Sequence, residues 1–174
     1  AAMETVADAL AKKLSPPSQN APALRREPPV TIKNSGDLAA MLQLLPETNA
    51  ALAESAEIHP IQLPDGSPWQ PDAASDVLLL GDSHNLVFHT GAEMHATGAG
   101  LPDQLFLELG FPMDVVAVMG SGSTAARRSL ARRKDNLAGK KVVVWCFSTR
   151  EFTQGQGWSK VPVVKDAAAN SVLK

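Results

Sequence analysis

The chain has 174 residues, 44% hydrophobic and 20% charged, with a net charge of −2 at pH 7. That length fits one domain with a substantial core, and the near-balanced charge gives no electrostatic footprint for nucleic acid or an anionic membrane surface. No apolar run approaches the roughly 20 residues of a membrane span, and Ala1-Ala2-Met3-Glu4 lacks the basic and apolar regions of a signal peptide. A lone cysteine, Cys146, excludes an intrachain disulfide. It sits in an apolar strand-like run, where free thiols are usually inert. His59, His84, His89 and His95 show no zinc-like spacing with cysteine, so no metal is expected.

In chain order, Met3, Val6, Leu10 and Leu14 fall at helical spacing between Glu4, Asp8, Lys12 and Lys13, predicting an amphipathic helix. It starts at once, without an N-cap, so the single domain is expected to be incomplete at its N-terminus. Ser15-Pro16-Pro17 ends the helix, and residues 15–33 are expected to form a proline-rich loop. Asn34-Ser35-Gly36-Asp37 opens a second helix, Leu38 to Leu45, halted by Pro46. Ala50 to Glu57 reads as more helix or a connector. Ile58 to Leu63 reads as an edge strand, since Pro60 cannot donate in a central one.

Val77 to Leu80 is an unbroken apolar run, short enough for a strand covered on both faces, and it ends in Gly81-Asp82-Ser83. Asn85 to Gly100 reads as a short helix or an ordered loop. Leu101 to Leu109 is a helix, with Gly110 at its C′ position. Asp114 to Val118 is a second buried strand, ending in Met119-Gly120-Ser121-Gly122-Ser123. A helix follows from Ser123 to about Leu137, with Ala126, Leu130 and Leu137 inward and Arg127, Arg128, Arg132 and Arg133 on a solvated face. Val142 to Phe147 is a third buried strand, running into Ser148-Thr149-Arg150-Glu151. Strand–turn–helix therefore occurs three times. The pattern predicts an α/β fold with a doubly wound, mostly parallel sheet and helices on both faces.

All three strands end in small or polar residues, and ligands of open α/β sheets bind beyond the strands' carboxyl ends. Gly-Asp-Ser is also ordinary turn chemistry. Even so, a serine on such a turn has its hydroxyl at the mouth of a cleft, which makes Ser83 the candidate nucleophile. A serine needs a base for its proton and amide donors for the oxyanion. Backbone at Ser83, Gly120 and Gly122, with the helix N-terminus behind them, could supply the donors. Gly120-x-Gly122 could instead begin a dinucleotide loop, but the third glycine is missing and no Gly-Lys-Ser/Thr follows.

The blocks Leu78-Leu79-Leu80-Gly81-Asp82-Ser83, Gly120-Ser121-Gly122 and Val142-Val143-Val144-Trp145-Cys146-Phe147-Ser148-Thr149-Arg150-Glu151 carry a resemblance. Over roughly Gly36 to Phe152 the chain resembles the SGNH-hydrolase-like domain of alginate O-acetylation proteins, the AlgX/AlgJ type. The resemblance implies a flavodoxin-like three-layer sandwich and an O-acetyltransferase or acetylesterase working through a serine acetyl-enzyme, a reaction that needs no dissociable cofactor. Ser83 matches the acyl-carrying serine, and Arg150 matches a strand-end arginine that binds or positions substrate. An acetyl donor, an exopolysaccharide acceptor, other acetylation proteins as partners and a periplasmic or otherwise exported location are implied with it.

Two departures shape the functional expectation. No histidine follows His95, which excludes the base placement of ordinary SGNH hydrolases. In the acetylation family an Asp-x-His motif precedes the serine, so the resemblance implies a base upstream of Ala1 and little acetylesterase activity from this stretch alone. A Gly-x-Asn turn has no clear match either. The alternative is a carbohydrate-binding or assembly module that keeps the sheet without the catalysis.

Overall fold

A computed structural model describes residues 2–13, 23–120, 122–154 and 158–164. The chain forms two compact units, each assembled from separate stretches of sequence. The first takes Ala1–Trp69 and Val87–Phe111, the second Gln70–Leu86 and Pro112–Lys174.

In the first unit, helix α1 (Ala2–Ala11) is present as expected, but it buries Ala7 and leaves Val6 exposed. The residue Leu14 and the proline stop after it lie outside the described residues. Of the loop expected over 15–33, residues 23–33 instead carry β1 (Arg25–Arg26) and most of β2 (Val30–Asn34). Pro28 and Pro29 stand between these strands, where no ladder hydrogen bond is lost. β2 pairs antiparallel with β3 (Glu54–Ile58), from Val30↔Ile58 to Asn34↔Glu54. β1 pairs antiparallel with β4 (Ile61–Gln62), and Pro60 falls in the gap between β3 and β4.

Helix α2 (Gly36–Met41) stops short of Leu45, with Gln43 in the left-handed region at φ 50°. Pro46 does not halt a helix but begins one, α3 (Pro46–Ala51). The first helical residue has no intrahelical use for its N–H, so proline is suited to that place. Helix α4 (Leu101–Leu109) matches its expected bounds and packs on α1. Gly110 closes it at φ 76°, its N–H donating to the Phe106 carbonyl.

The second unit is built on β5 (Val77–Gly81), buried at every position, which is why it reads as continuous apolar sequence. β6 (Asp114–Ala117) and β7 (Val142–Cys146) flank it, both parallel, giving the order β6-β5-β7. The chain is therefore α/β, with the three expected strands parallel. β7 is less buried than expected, with Val143 exposed, because it has a described neighbour on one side alone. Helix α5 (Gly122–Arg133) lies against β5 and β6, and Leu78, Leu80, Val116, Ala126 and Leu130 form the core between them. The helix ends before Leu137, since Lys134, Asn136 and Leu137 all have positive φ, but Leu137 still packs on that core.

The arginine face of α5 is not uniformly solvated. Arg127 stacks over the rings of Trp145 and Trp158, and Arg133 donates to Asp114 at 2.5 Å. Asp114 is 1% exposed and also pairs with the buried ammonium of Lys140 at 2.9 Å. Lys140 Nζ donates further to the Ala73 and Ser75 carbonyls, so this ion cluster ties together the segments leading into β5, β6 and β7. After β7 comes the short helix α6 (Arg150–Thr153). Among the described residues, no helix is long and apolar enough to cross a membrane.

Candidate active site

Parallel pairing sets Gly81 beside Ala117 on one side and Cys146 on the other, so the three strand ends share one edge of the sheet. Gly81 has to be glycine for steric reasons. A Cβ there would collide with the Asn85 amide and the Cys146 carbonyl. Because nothing projects from Gly81, the chain can fold straight into a 3-10 turn, Ser83–Asn85.

Asp82 organises that turn. Its Oδ1 accepts the His84 N–H at 3.0 Å and lies 2.9 Å from His84 Nδ1, while Oδ2 accepts the Ser148 N–H at 2.9 Å. Asn85, fully buried, donates through Nδ2 to the Asp82 carbonyl at 3.3 Å and to the Cys146 carbonyl at 3.1 Å. None of these bonds uses the Ser83 hydroxyl, and Ser83 is half-buried. The turn is thus held on both sides of Ser83, whose side chain has no hydrogen-bond partner among the described residues.

The electrostatics follow from those contacts. Burial works against ionisation of Asp82, but hydrogen bonds from Ser148, the His84 backbone and the His84 ring outweigh it and hold the carboxyl below its usual range. Burial pushes the Cys146 thiol up, and the Asp82 charge adds to that, which disfavours the thiolate. Among the described residues, no group of three or more His, Cys, Asp or Glu is placed to hold a metal ion.

The family resemblance implies an Asp-x-His upstream of Ala1, yet Asp82-Ser83-His84 has that spacing too, with the candidate nucleophile in the middle. The structure forms the pair: His84 is half exposed, with Nδ1 committed to Asp82. A second Asp–His pair lies in the first unit and is of a different kind. There Asp103 accepts Trp69 Nε1 at 2.7 Å and the Gly100 N–H at 2.8 Å, with His89 Nδ1 at 3.0 Å. Asp103 is buried and caps α4, so this histidine belongs to a core network.

Around the other strand ends, the Val118 N–H donates to the Gly81 carbonyl at 3.2 Å, tying the exit of β6 to that of β5. Gly120 has φ 80° and open space where a Cβ would be, while Ser121 lies outside the described residues. Gly122, at φ 60°, lets the Glu151 carboxylate close against the backbone, and the buried Ser123 donates to Glu151 Oε2 at 2.5 Å. Arg150 is exposed, with Nε 3.3 Å from Ser148 Oγ. Arg150, Ser148 and Asp82 are therefore linked by consecutive hydrogen bonds. Asn85, Ser148 and Glu151 had no assigned role in the sequence. Their contacts depend on strands far apart in the chain, and no local pattern marks them.

Ser83 thus sits on the turn at the carboxyl end of the central strand of a parallel sheet, the edge at which open α/β sheets bind their ligands. The chain shares the fold of the O-acetyltransferase domain of Pseudomonas putida AlgJ, with a TM-score of 0.60 and 20% identity over 91% of this chain. It spans about half of that solved chain, 52%. No protein-family model matches the sequence, and no curated protein is matched by it.

Proposed function

We propose that this chain is part of an O-acetyltransferase or acetylesterase of the SGNH three-layer type, acting on an exopolysaccharide outside the cytoplasmic membrane. The observation that carries the reading is the serine on the Gly81–Asp82–Ser83 turn, in a fold shared with a domain named as an O-acetyltransferase. Ser83 Oγ attacks the carbonyl of an acetyl donor as a base takes its proton. The tetrahedral oxyanion collapses, and the donor's leaving oxygen departs with a proton. A sugar hydroxyl then attacks the acetyl-Ser83 carbonyl, transferring the acetyl group and restoring the serine. Water in the sugar's place gives hydrolysis.

Backbone N–H groups at Ser83, Gly120 and Gly122 are the proposed oxyanion donors, and Arg150 the proposed substrate-positioning group. Two sources of base are distinguishable. One is an Asp-x-His pair outside this stretch, as the family resemblance implies. The other is His84, whose Nδ1 is held by Asp82 in the tautomer that leaves Nε2 free to accept a proton.

The test is transfer from a chromogenic acetyl ester, measured with and without an oligosaccharide acceptor. Ser83→Ala is expected to reduce both hydrolysis and transfer to background. Retained activity in Ser83→Ala would overturn the reading, while loss in His84→Ala with Ser83 still exposed assigns the base to His84.

A further inference from the structure

Apart from the Ser83 turn, the first unit holds a cleft of about 360 Å³ that no step of the proposed reaction uses. Its floor is the antiparallel β2–β3 pair. The cross-strand pairs Ile32↔Ala56 and Asn34↔Glu54 put those four side chains on one face, and all four line the cleft. Phe88 and His95 line it too, their rings 6.1 Å apart and inclined at 55°.

Both of these residues are in the left-handed region, Phe88 at φ 60° and His95 at φ 76°. Non-glycine residues hold that conformation where their surroundings impose it, and such positions gather at ligand sites. Here the surroundings are visible. The His95 ring is hydrogen-bonded to the Asn34 side chain. The Phe88 N–H donates to the Met94 carbonyl at 2.8 Å, and the Ala99 N–H to the Phe88 carbonyl at 2.7 Å. The loop is thus knitted so that two rings stand at a polar-edged strand pair.

We propose that this cleft binds a neutral hexopyranose unit of a glycan. Ile32, Ala56 and the Phe88 ring suit the C–H face of a sugar, and Asn34, Ser35 and Glu54 offer acceptors and donors for its hydroxyls. Among the described lining residues there is no lysine or arginine, and the one carboxylate is that of Glu54. A uronate ring would bring like charge against Glu54 with no lysine or arginine among the described lining residues to answer it, so the cleft selects for neutral sugar by repulsion. The inference rests on the glycan substrate of the proposed function but not on catalysis by Ser83.

The experiment is an amide-shift titration of the whole 174-residue chain with cellotetraose and, separately, with an oligomannuronate of four residues. Cellotetraose is expected to shift amides at Ile32, Asn34, Phe88 and His95, with oligomannuronate at least tenfold weaker. Phe88→Ala should weaken cellotetraose binding at least tenfold and Phe88→Trp should keep it, which separates a lost ring from a collapsed loop. Glu54→Gln should narrow the gap between the two sugars. Equal or tighter uronate binding, shifts at other residues, or no shifts with either sugar would overturn the proposal. Ser83→Ala is the control that separates the readings. In Ser83→Ala, cleft binding should be retained while transfer is lost; with Ser83 intact, binding at the cleft alongside transfer that does not depend on Ser83 defeats the catalytic reading alone, and Ser83-dependent transfer without binding at the cleft defeats this one alone.

Discussion

Asp82 accepts the Ser148 N–H at 2.9 Å, and through that bond the turn carrying Ser83 is held to the chain leaving β7. An aspartate of a turn motif therefore acts as a clamp between two strand ends. Removing its charge should loosen the position of Ser83 before it unfolds anything.

Asp82→Asn is expected to lower stability by about 1.5–3 kcal/mol, the usual worth of hydrogen bonds to a charged group. The carboxyl is held below its ordinary value of 3.8, so its stabilisation is complete above that value. It is lost as pH falls through the depressed folded value. The gap between wild type and Asp82→Asn in urea midpoint should be constant at neutral pH and shrink below about pH 4. A gap that widens on acidification would contradict the clamp.

Gly81→Ala tests the close approach behind the turn. The added methyl meets Asn85 and the Cys146 carbonyl, neither of which can retreat without breaking the bond between them. A loss of about 1–3 kcal/mol is expected, as for other overpacked sites. Unchanged stability by chemical denaturation would show that the turn has slack.

Asp114 faces Lys140 and Arg133 at the other end of the sheet. Asp114→Ala leaves the Lys140 ammonium buried without its counter-charge and should cost about 3–5 kcal/mol. The double variant Asp114→Leu with Lys140→Met should recover most of that loss, since it removes both charges. A double variant as unstable as the sum of the two single ones would mean that the ions do not interact.

Burial and the Asp82 charge both raise the Cys146 thiol, so alkylation of the folded protein at pH 8 should be far slower than of the protein in urea. Asp82→Asn should speed labelling of the folded form modestly. Equal rates for folded and unfolded protein would place Cys146 in an environment other than the one described.

What the sequence revealed depended on whether the signal was local. Val77–Leu80 reads as a buried strand because a central parallel strand must be apolar on both faces. Leu101–Leu109 with Gly110 reads correctly because helix period and cap lie within ten residues. β1 and β2 were hidden by proline-rich composition, and their evidence is the pairing with β4 and β3, some thirty residues away. Pro46 misled because the same residue that breaks a helix interior suits a first turn. Arg127 was assigned to water because its partner Trp158 is distant in sequence. Ser83 stood out by its place after the strand, but the roles of Asp82 and His84 did not. A turn aspartate and a clamping aspartate look identical until β7 is beside it.

The central claim is that Ser83 carries an acetyl group, and the most direct measurement is the intact mass of the chain after incubation with an activated acetyl ester and acid quench, followed by peptide mapping. The predicted result is a single acetyl adduct on the peptide containing Ser83, absent from Ser83→Ala. An adduct on another peptide with Ser83 unlabelled, or a Ser83→Ala variant acetylated to the same extent, would contradict the account.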